Sequence, residues 1–253
     1  MTIKNPTADL LPSLKALWKE AFGDTDEFIE CFFSLGFSPQ RSLTVTENEA
    51  LLGALYWLDM ECDGKKIAYV YGVATAKAFR SKGIGSLLLK EAKDYLKAHG
   101  YSLIALVPAT SEVFRFYEEL GYKTFAYIDE KSFSASDKKV NVRKAEAAEY
   151  LEERKKHCKT GYLAPVGESL DFLEAVVDFY VGDDFVASLR KDQKDFFAVE
   201  FLGNLDEIPN FINSLGYPKG TVRTDGRDKA FAMRLPLEDS KKLSVSYLGF
   251  AFD

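Results

Sequence analysis

The order strand, glycine-rich turn, helix and strand over residues 65–109 constrains the fold of this chain most strongly. KKIAYVYGVAT and YSLIALVPA are rich in apolar residues, and the second is apolar on both faces, which is typical of a buried parallel strand. Between them, a helical segment places apolar residues on one side: Ile84, Leu88, Ala92, Tyr95 and Leu96. Two strands joined through a helix run parallel in one sheet, so this stretch predicts an α/β fold.

The turn RSKGIGS, residues 80–86, joins the first of these strands to the helix and carries two glycines. It is not a P-loop, because no glycine lies five residues before a Gly-Lys pair. It is not a dinucleotide-binding fingerprint, because the third glycine of G-x-G-x-x-G falls on Leu88. The pattern that remains is R-x-x-G-x-G at the start of a helix.

That pattern predicts a turn that binds a pyrophosphate. The first amide N–H groups of a helix have no acceptor within the helix, and glycines at 83 and 85 let an anion approach them closely. Arg80 and Lys82 add positive charge at the same place, and Ser86 adds a hydroxyl. The alternative interpretation is a glycine turn whose basic residues are simply solvated.

The flanking residues extend this unit to about residue 133. Upstream, the sequence predicts helices over 7–23 and 26–34, a strand over 41–47 and a hairpin turned by Asp63-Gly64. Downstream, TSEVFRFYEELGY predicts a helix and KTFAYIDEKSF a strand. Hairpins followed by β-α-β crossovers imply a mixed sheet covered by helices.

The polar stretch SASDKKVN, residues 134–141, predicts a linker to a second, smaller α/β region over residues 142–253. In chain order, its predicted elements are helices over 145–158 and 169–180, a hairpin over 184–202, a helix over 204–215, a hairpin turned by Asp225-Gly226, and a buried strand over 243–253.

Composition excludes several classes of function. With a net charge of −6 and dispersed basic residues, the chain lacks the basic surface that nucleic acids require. His99 and His157 are the only histidines, so we expect no metal site and no Ser-His-Asp triad. The three cysteines are odd in number and form no CxxC, which is typical of a reduced, cytoplasmic protein. We expect no membrane span and no secretory leader.

Taken with its neighbours, RSKGIGS resembles motif A, Q/R-x-x-G-x-G/A, of the Gcn5-related N-acetyltransferase (GNAT) superfamily. The strand YVYGVAT ends five residues before Arg80, and SLIALVPA resembles its diverging partner strand. FYEELGY is similar to the family ending Y-x-x-x-G-F, with Tyr117 and Gly121 in register and Tyr122 for the usual Phe. The resemblance covers about residues 1–133 and implies a mixed, mostly antiparallel sheet with splayed central strands flanked by helices.

By this resemblance, the chain is an acetyl-CoA-dependent N-acetyltransferase that works by direct attack of a primary amine in a ternary complex. Tyr117 is the implied general acid to the departing thiolate. The donor-binding residues it implies are the backbone of the strand end (Val73, Ala74, Thr75) for pantetheine and the turn (Arg80, Ser81, Lys82, Gly83, Ile84, Gly85, Ser86) for the pyrophosphate. No metal is implied.

The chain departs from the family at two points. Thr110 stands where many members have Asn, seven residues before the tyrosine, and no obvious general base lies on the first strand. The base therefore stays open among Tyr69 and Tyr71 acting through a water, Asp59, Glu61, and the C-terminal carboxylate of Asp253.

The second region resembles the added half of tandem GNAT proteins, including the enhanced-intracellular-survival type, but it has no R-x-x-G-x-G. By this resemblance, the second region would form a wall of the acceptor pocket. In that group the C-terminal carboxylate enters the active site, which would make Asp253 a base here. The alternative is that residues 243–253 form an edge strand with a free end. FIECFFSLGF, residues 28–37, is either an aromatic wall of that pocket or core.

The acceptor itself stays unnamed: a small-molecule amine, or a peptide amine at a protein N-terminus or lysine. A different class of function is a non-catalytic acyl-CoA-binding regulatory module. The chain is expected to be a monomer or a homodimer.

Overall fold

The computed structural model describes residues 1–158, 161–191, 194–237 and 243–250, and these divide into two compact units. The first unit contains residues 1–123, 165–172 and 233–237, and the second contains residues 124–158, 161–164, 173–191, 194–232 and 243–250. The predicted limits of autonomous domains, 1–133 and 142–253 with a linker at 134–141, stay a prediction.

Helices and strands are distributed over both units. Up to residue 119 they are β1 (Thr2–Lys4), α1 (Leu11–Phe22), α2 (Asp26–Cys31), β2 (Ser42–Glu47), β3 (Ala50–Cys62), β4 (Lys65–Thr75), α3 (Ile84–Ala98), β5 (Leu103–Leu106) and α4 (Ser111–Glu119). After it they are β6 (Lys123–Ser134), β7 (Val142–Ala145), α5 (Ala147–His157), β8 (Ala164–Pro165), α6 (Glu168–Val176), β9 (Val177–Gly182), β10 (Phe185–Arg190), β11 (Phe196–Gly203), α7 (Ile208–Ser214), β12 (Lys219–Asp225) and β13 (Lys229–Pro236).

The sheet of the first unit is mixed and mostly antiparallel, as predicted. Strands β1 to β4 form an antiparallel meander, β4 and β5 run parallel, and residues 233–236 of β13 pair antiparallel with β5. The predicted Asp63-Gly64 turn is confirmed, because both residues have positive φ and Cys62 pairs with Lys65.

The two central strands of this sheet diverge. Strand β4 pairs with β5 only as far as Val70 opposite Leu106, whereas it pairs with β3 up to Thr75 opposite Gly53. A bulge accompanies the divergence, since Tyr56 lies opposite Gly72 and Trp57 opposite Val70, which leaves Tyr71 as the extra residue. The last residues of β4 therefore extend beyond the end of β5.

Helix α3 covers this sheet with the face predicted from its spacing. Ile84, Leu88, Ala92 and Leu96 are all buried in one apolar cluster with residues of β3, β4 and β5. The helix ends at Ala98, and Gly100 follows with a φ of 78°, the left-handed conformation that glycine adopts most easily.

The second unit is built on strands β9, β10 and β11, which are antiparallel, with β12 parallel to β11 and antiparallel to β6. Its core packs Phe211 of helix α7 against three buried phenylalanines of the sheet: Phe185, Phe196 and Phe201. The predicted hairpin of β10 and β11 is confirmed; residues 192–193 of its loop lie outside the described residues.

Two predicted elements of the second unit are wrong. The helix expected over 169–180 ends at Val176, because the residues after it alternate buried and half-buried side chains along strand β9. The chain does turn after Asp225, but β12 and β13 are not a hairpin, since β6 lies between them. The Asp129 carboxylate of β6 holds that turn by accepting the backbone N–H groups of Arg227 and Asp228 at 2.8 and 3.1 Å.

The strand predicted over 243–253 is not formed by residues 243–250, and residues 251–253 lie outside the described part of the chain. A single bridge joins Tyr247 to Tyr162. Val245 and residues 247–250 are nevertheless buried. Tyr247 and Phe250 contact a fully buried ion pair, Arg154 with Glu200, whose nitrogen–oxygen distances are 2.8 and 2.9 Å. The Tyr150 and Tyr247 hydroxyls donate to the same carboxylate at 2.7 and 2.9 Å.

Candidate active site

The turn RSKGIGS reverses the chain between β4 and α3. Arg80 is extended, Ser81 has a φ of 61°, and Gly83 has a φ of 79° immediately before the first helical residue, Ile84. No side chain of the described residues caps this helix end. The first amides of α3 therefore face outward, where the helix dipole favours an anion.

Space for an anion is available at both glycines. A Cβ atom placed on Gly83 would meet no atom within 4 Å. One placed on Gly85 would lie 3.8 Å from Phe116 Cζ, 3.9 Å from Thr75 Oγ1 and 4.0 Å from Val73 Cγ1. The end of β4, the first turn of α3 and helix α4 thus meet around Gly85.

The two basic residues of the turn lie on its exposed side. Arg80 Nε donates a hydrogen bond to the carbonyl oxygen of Thr75 at 3.2 Å, which ties the side chain to the end of β4. Lys82 Nζ lies 4.9 Å from the centre of the Phe79 ring. Within the part of the chain that the structure describes, neither residue belongs to an ion pair, so both leave positive charge for a ligand.

Tyr117 lies on α4 and is buried, with 8% of its surface exposed. Its ring packs against Tyr122 and Phe116, with ring centroids 5.4 and 5.3 Å apart. Burial raises the pKa of Tyr117 to about 12, because the ionised phenolate would lose its hydration. Tyr117 is therefore a protonated phenol at neutral pH. It directly follows Phe116, the α4 residue whose ring approaches Gly85.

The candidate bases are dispersed. Tyr69 is buried and Tyr71 partly buried on β4, with ring centroids 6.2 Å apart, and Tyr71 is the bulge residue at the point of divergence. Glu61 is exposed opposite Lys66, six strand residues or roughly 20 Å from Gly72.

The Asp59 carboxylate on β3 already has partners. Asp59 accepts a hydrogen bond from the Tyr101 hydroxyl at 2.5 Å and lies 3.7 Å from Lys66 Nζ. Asp253 lies outside the described residues.

The aromatic segment 28–37 is mainly core. Phe32 and Phe33 are buried, and both pack against Trp18 at centroid distances of 4.3 and 5.9 Å. Trp18 and Phe172 in turn contact the ring of Tyr71, at 5.7 and 5.8 Å. Sequence reasoning missed both contacts; the helical spacing of Trp18 marks it as buried, but no local pattern points to Phe172.

Comparison with known proteins agrees with this geometry. Residues 2–125 match the model of the family described as "Acetyltransferase (GNAT) domain". No curated protein sequence matches the chain. Within the described residues, no helix is both long enough and apolar enough to cross a membrane.

Solved structures share the fold over nearly the whole chain. A GCN5-related N-acetyltransferase from Kribbella flavida superposes with a TM-score of 0.69 at 18% identity, covering 92% of this chain and 70% of that one. One from Anabaena variabilis gives 0.73 at 13%, covering 94% and 73%. Eis1 from Mycobacterium abscessus gives 0.66 at 10%, covering 94% and 74%. The likeness therefore includes the fold of the second unit.

Proposed function

Because residues 2–125 belong to the acetyltransferase (GNAT) domain family, we propose that this acyltransferase moves an acetyl group from acetyl-CoA to a primary amine. The observation that carries the proposal is the divergence of β4 from β5 directly before an open, positively charged helix N-terminus. A strand edge beside an anion site fits a donor with an extended amide arm and a pyrophosphate.

The pyrophosphate binds the first turn of α3, held by residues 80–86. The amide groups from Gly83 to Ser86 donate to its oxygens, and Arg80 and Lys82 neutralise its charge. The empty space at Gly83 supports this assignment, since a side chain there would occupy the path of the phosphate. The amide groups of the pantetheine arm pair with the backbone of Val73, Ala74 and Thr75, beyond the last β4–β5 pair.

The reaction is a direct transfer. The neutral amine attacks the thioester carbonyl, a carbon–nitrogen bond forms, and the carbon–sulfur bond breaks to release CoA. Backbone N–H groups at the end of β4 stabilise the developing oxyanion. Tyr117 is the general acid: its phenol, kept protonated by a pKa of about 12, donates its proton to the sulfur as the carbon–sulfur bond breaks and regains one from the attacking nitrogen, which leaves a neutral amide and CoA thiol.

Deprotonation of the amine falls to Tyr71 acting through a water, with Tyr69 beside it. Tyr71 is favoured because the bulge puts it where β4 leaves β5. Glu61 is disfavoured by its distance along the hairpin. A Tyr–water relay moves the ammonium proton to solvent.

Arg80→Glu tests the donor site. Calorimetric titration with CoA should show binding lost in the variant, because a carboxylate repels the pyrophosphate, while the circular dichroism spectrum is unchanged. Lys97→Glu is the matched control, since it makes the same charge change in the last turn of α3, the helix that follows the RSKGIGS turn. Equal CoA affinity in wild type and Arg80→Glu would overturn the assignment.

A turnover assay distinguishes the transferase from a non-catalytic acyl-CoA-binding module. Release of CoA, followed with a thiol reagent over a panel of small amines and lysine peptides, supports the transferase and identifies the acceptor class. CoA binding without release on any amine favours the acyl-CoA-binding regulatory module instead. Residence in the cytoplasm and a monomeric or homodimeric state stay predictions.

A further inference from the structure

A cavity of about 330 Å³ lies in the first unit between α3 and the chain that follows α4. Its apolar wall consists of four leucines: Leu87, Leu89, Leu120 and Leu235. Its remaining lining residues are Ser86, Lys90, Lys93 and Tyr122. The volume is at the lower end of the range of about 300–1,000 Å³ that small-molecule sites occupy.

Tyr122 contributes its ring, not its hydroxyl, to the cavity. Only 2% of the residue is exposed, and its hydroxyl oxygen has almost no accessible surface and no hydrogen bond to any described residue. Because a ligand atom cannot reach that oxygen, the polar groups that the cavity offers a ligand are those of Ser86, Lys90 and Lys93.

The two lysines supply charge of one sign. Lys90 and Lys93 are three residues apart on α3 and therefore lie on one side of the helix, and both are exposed. Within the described ranges, neither takes part in an ion pair. The rim of the cavity is thus cationic, while its wall is apolar.

We propose that this cavity binds a small organic anion with a flat apolar body, such as an aromatic carboxylate. The apolar body lies against the leucines and the Tyr122 ring, and the carboxylate faces Lys90 and Lys93. Because the ring of Tyr122 packs on that of Tyr117, the ligand contacts a residue that adjoins the proposed general acid. Binding at this site does not depend on acetyl transfer.

The test is calorimetric titration of the full chain with 2-naphthoate. The naphthoate should bind, and its neutral analogue 2-naphthamide should bind more weakly because it lacks the charge. Binding of the naphthoate should weaken about fivefold or more in Lys90→Ala/Lys93→Ala, since each rim charge pair contributes modestly. Lys97→Ala, on the same helix outside the cavity, is the control and should leave affinity unchanged.

Three results would overturn the proposal. The first is no binding of 2-naphthoate to the wild-type chain. The second is equal affinity in wild type and the double variant. The third is full displacement of bound naphthoate by CoA, which would make the cavity part of the donor site. Retained naphthoate binding in the presence of saturating CoA supports a separate site.

Discussion

Replacing Tyr117 with Phe removes one oxygen atom from a buried ring and leaves the packing in place. The Phe ring keeps its contacts with Tyr122 and Phe116, whose centroids lie 5.4 and 5.3 Å away. The swap nearly conserves volume, so the free energy of unfolding should change by less than about 1.5 kcal/mol. Because the packing is kept, a large loss of turnover in Tyr117→Phe then reports on the missing hydroxyl group rather than on a damaged fold.

The expected loss of kcat in Tyr117→Phe is about 10²–10⁴-fold, the usual contribution of a positioned acid. That range corresponds to about 2.7–5.5 kcal/mol of transition-state stabilisation. The KM for acetyl-CoA should change little, because the hydroxyl acts on the departing sulfur rather than on the bound ground state. The assay is steady-state release of CoA detected with a thiol reagent, combined with urea unfolding of both proteins.

Tyr95→Phe is the matched control. Tyr95 lies near the far end of α3, where its hydroxyl reaches only the Gln40 carbonyl, so this variant should turn over like wild type. A loss below about tenfold in Tyr117→Phe would refute the acid role and leave the ring as core. An equal loss in both variants would point to general damage.

Two further predictions concern stability. Glu200→Gln leaves the Arg154 charge buried and unpaired and should lower the free energy of unfolding in urea by about 3–5 kcal/mol. Glu149→Gln, which breaks an exposed pair with Arg143, should leave that free energy nearly unchanged, and similar losses in both variants would contradict this prediction. The raised pKa of Tyr117 means that its contribution is fully present below pH 10 and is lost as the pH rises towards about 12. Between pH 9 and pH 11, the free energy of unfolding of wild type should therefore fall by roughly 1 kcal/mol more than that of Tyr117→Phe, because both proteins share the loss from their other buried tyrosines. An identical decline between pH 9 and pH 11 in the two proteins would contradict it.

Local patterns were enough to predict the elements around the site. The turn at Asp63-Gly64, the apolar face of α3 and the left-handed Gly100 each follow from residues within one turn or one helix. Gly83, with its φ of 79°, likewise carries its own backbone requirement. These features depend on short-range sterics, which a single sequence contains.

Pairing over long distances could not be read in the same way. The Asp225-Gly226 turn is visible in the sequence, but nothing near it says that β6 lies between the two strands it connects. The switch from helix to strand at Val177 depends on β10, which pairs with β9. The apolar run before residue 251 predicts burial correctly, whereas its lack of strand pairing follows from the distant Arg154–Glu200 pair that it covers.

The pairing of β13 with β5 has a consequence for biosynthesis. Residues 103–106 leave the ribosome early, but their antiparallel partners, residues 233–236, emerge only after almost all of the remaining chain has been made. During that interval one side of a buried strand has no native neighbour and must be shielded by transient contacts or chaperones. The first unit is therefore completed only after most of the second has been translated, so premature termination anywhere before residue 233 leaves both units unfinished.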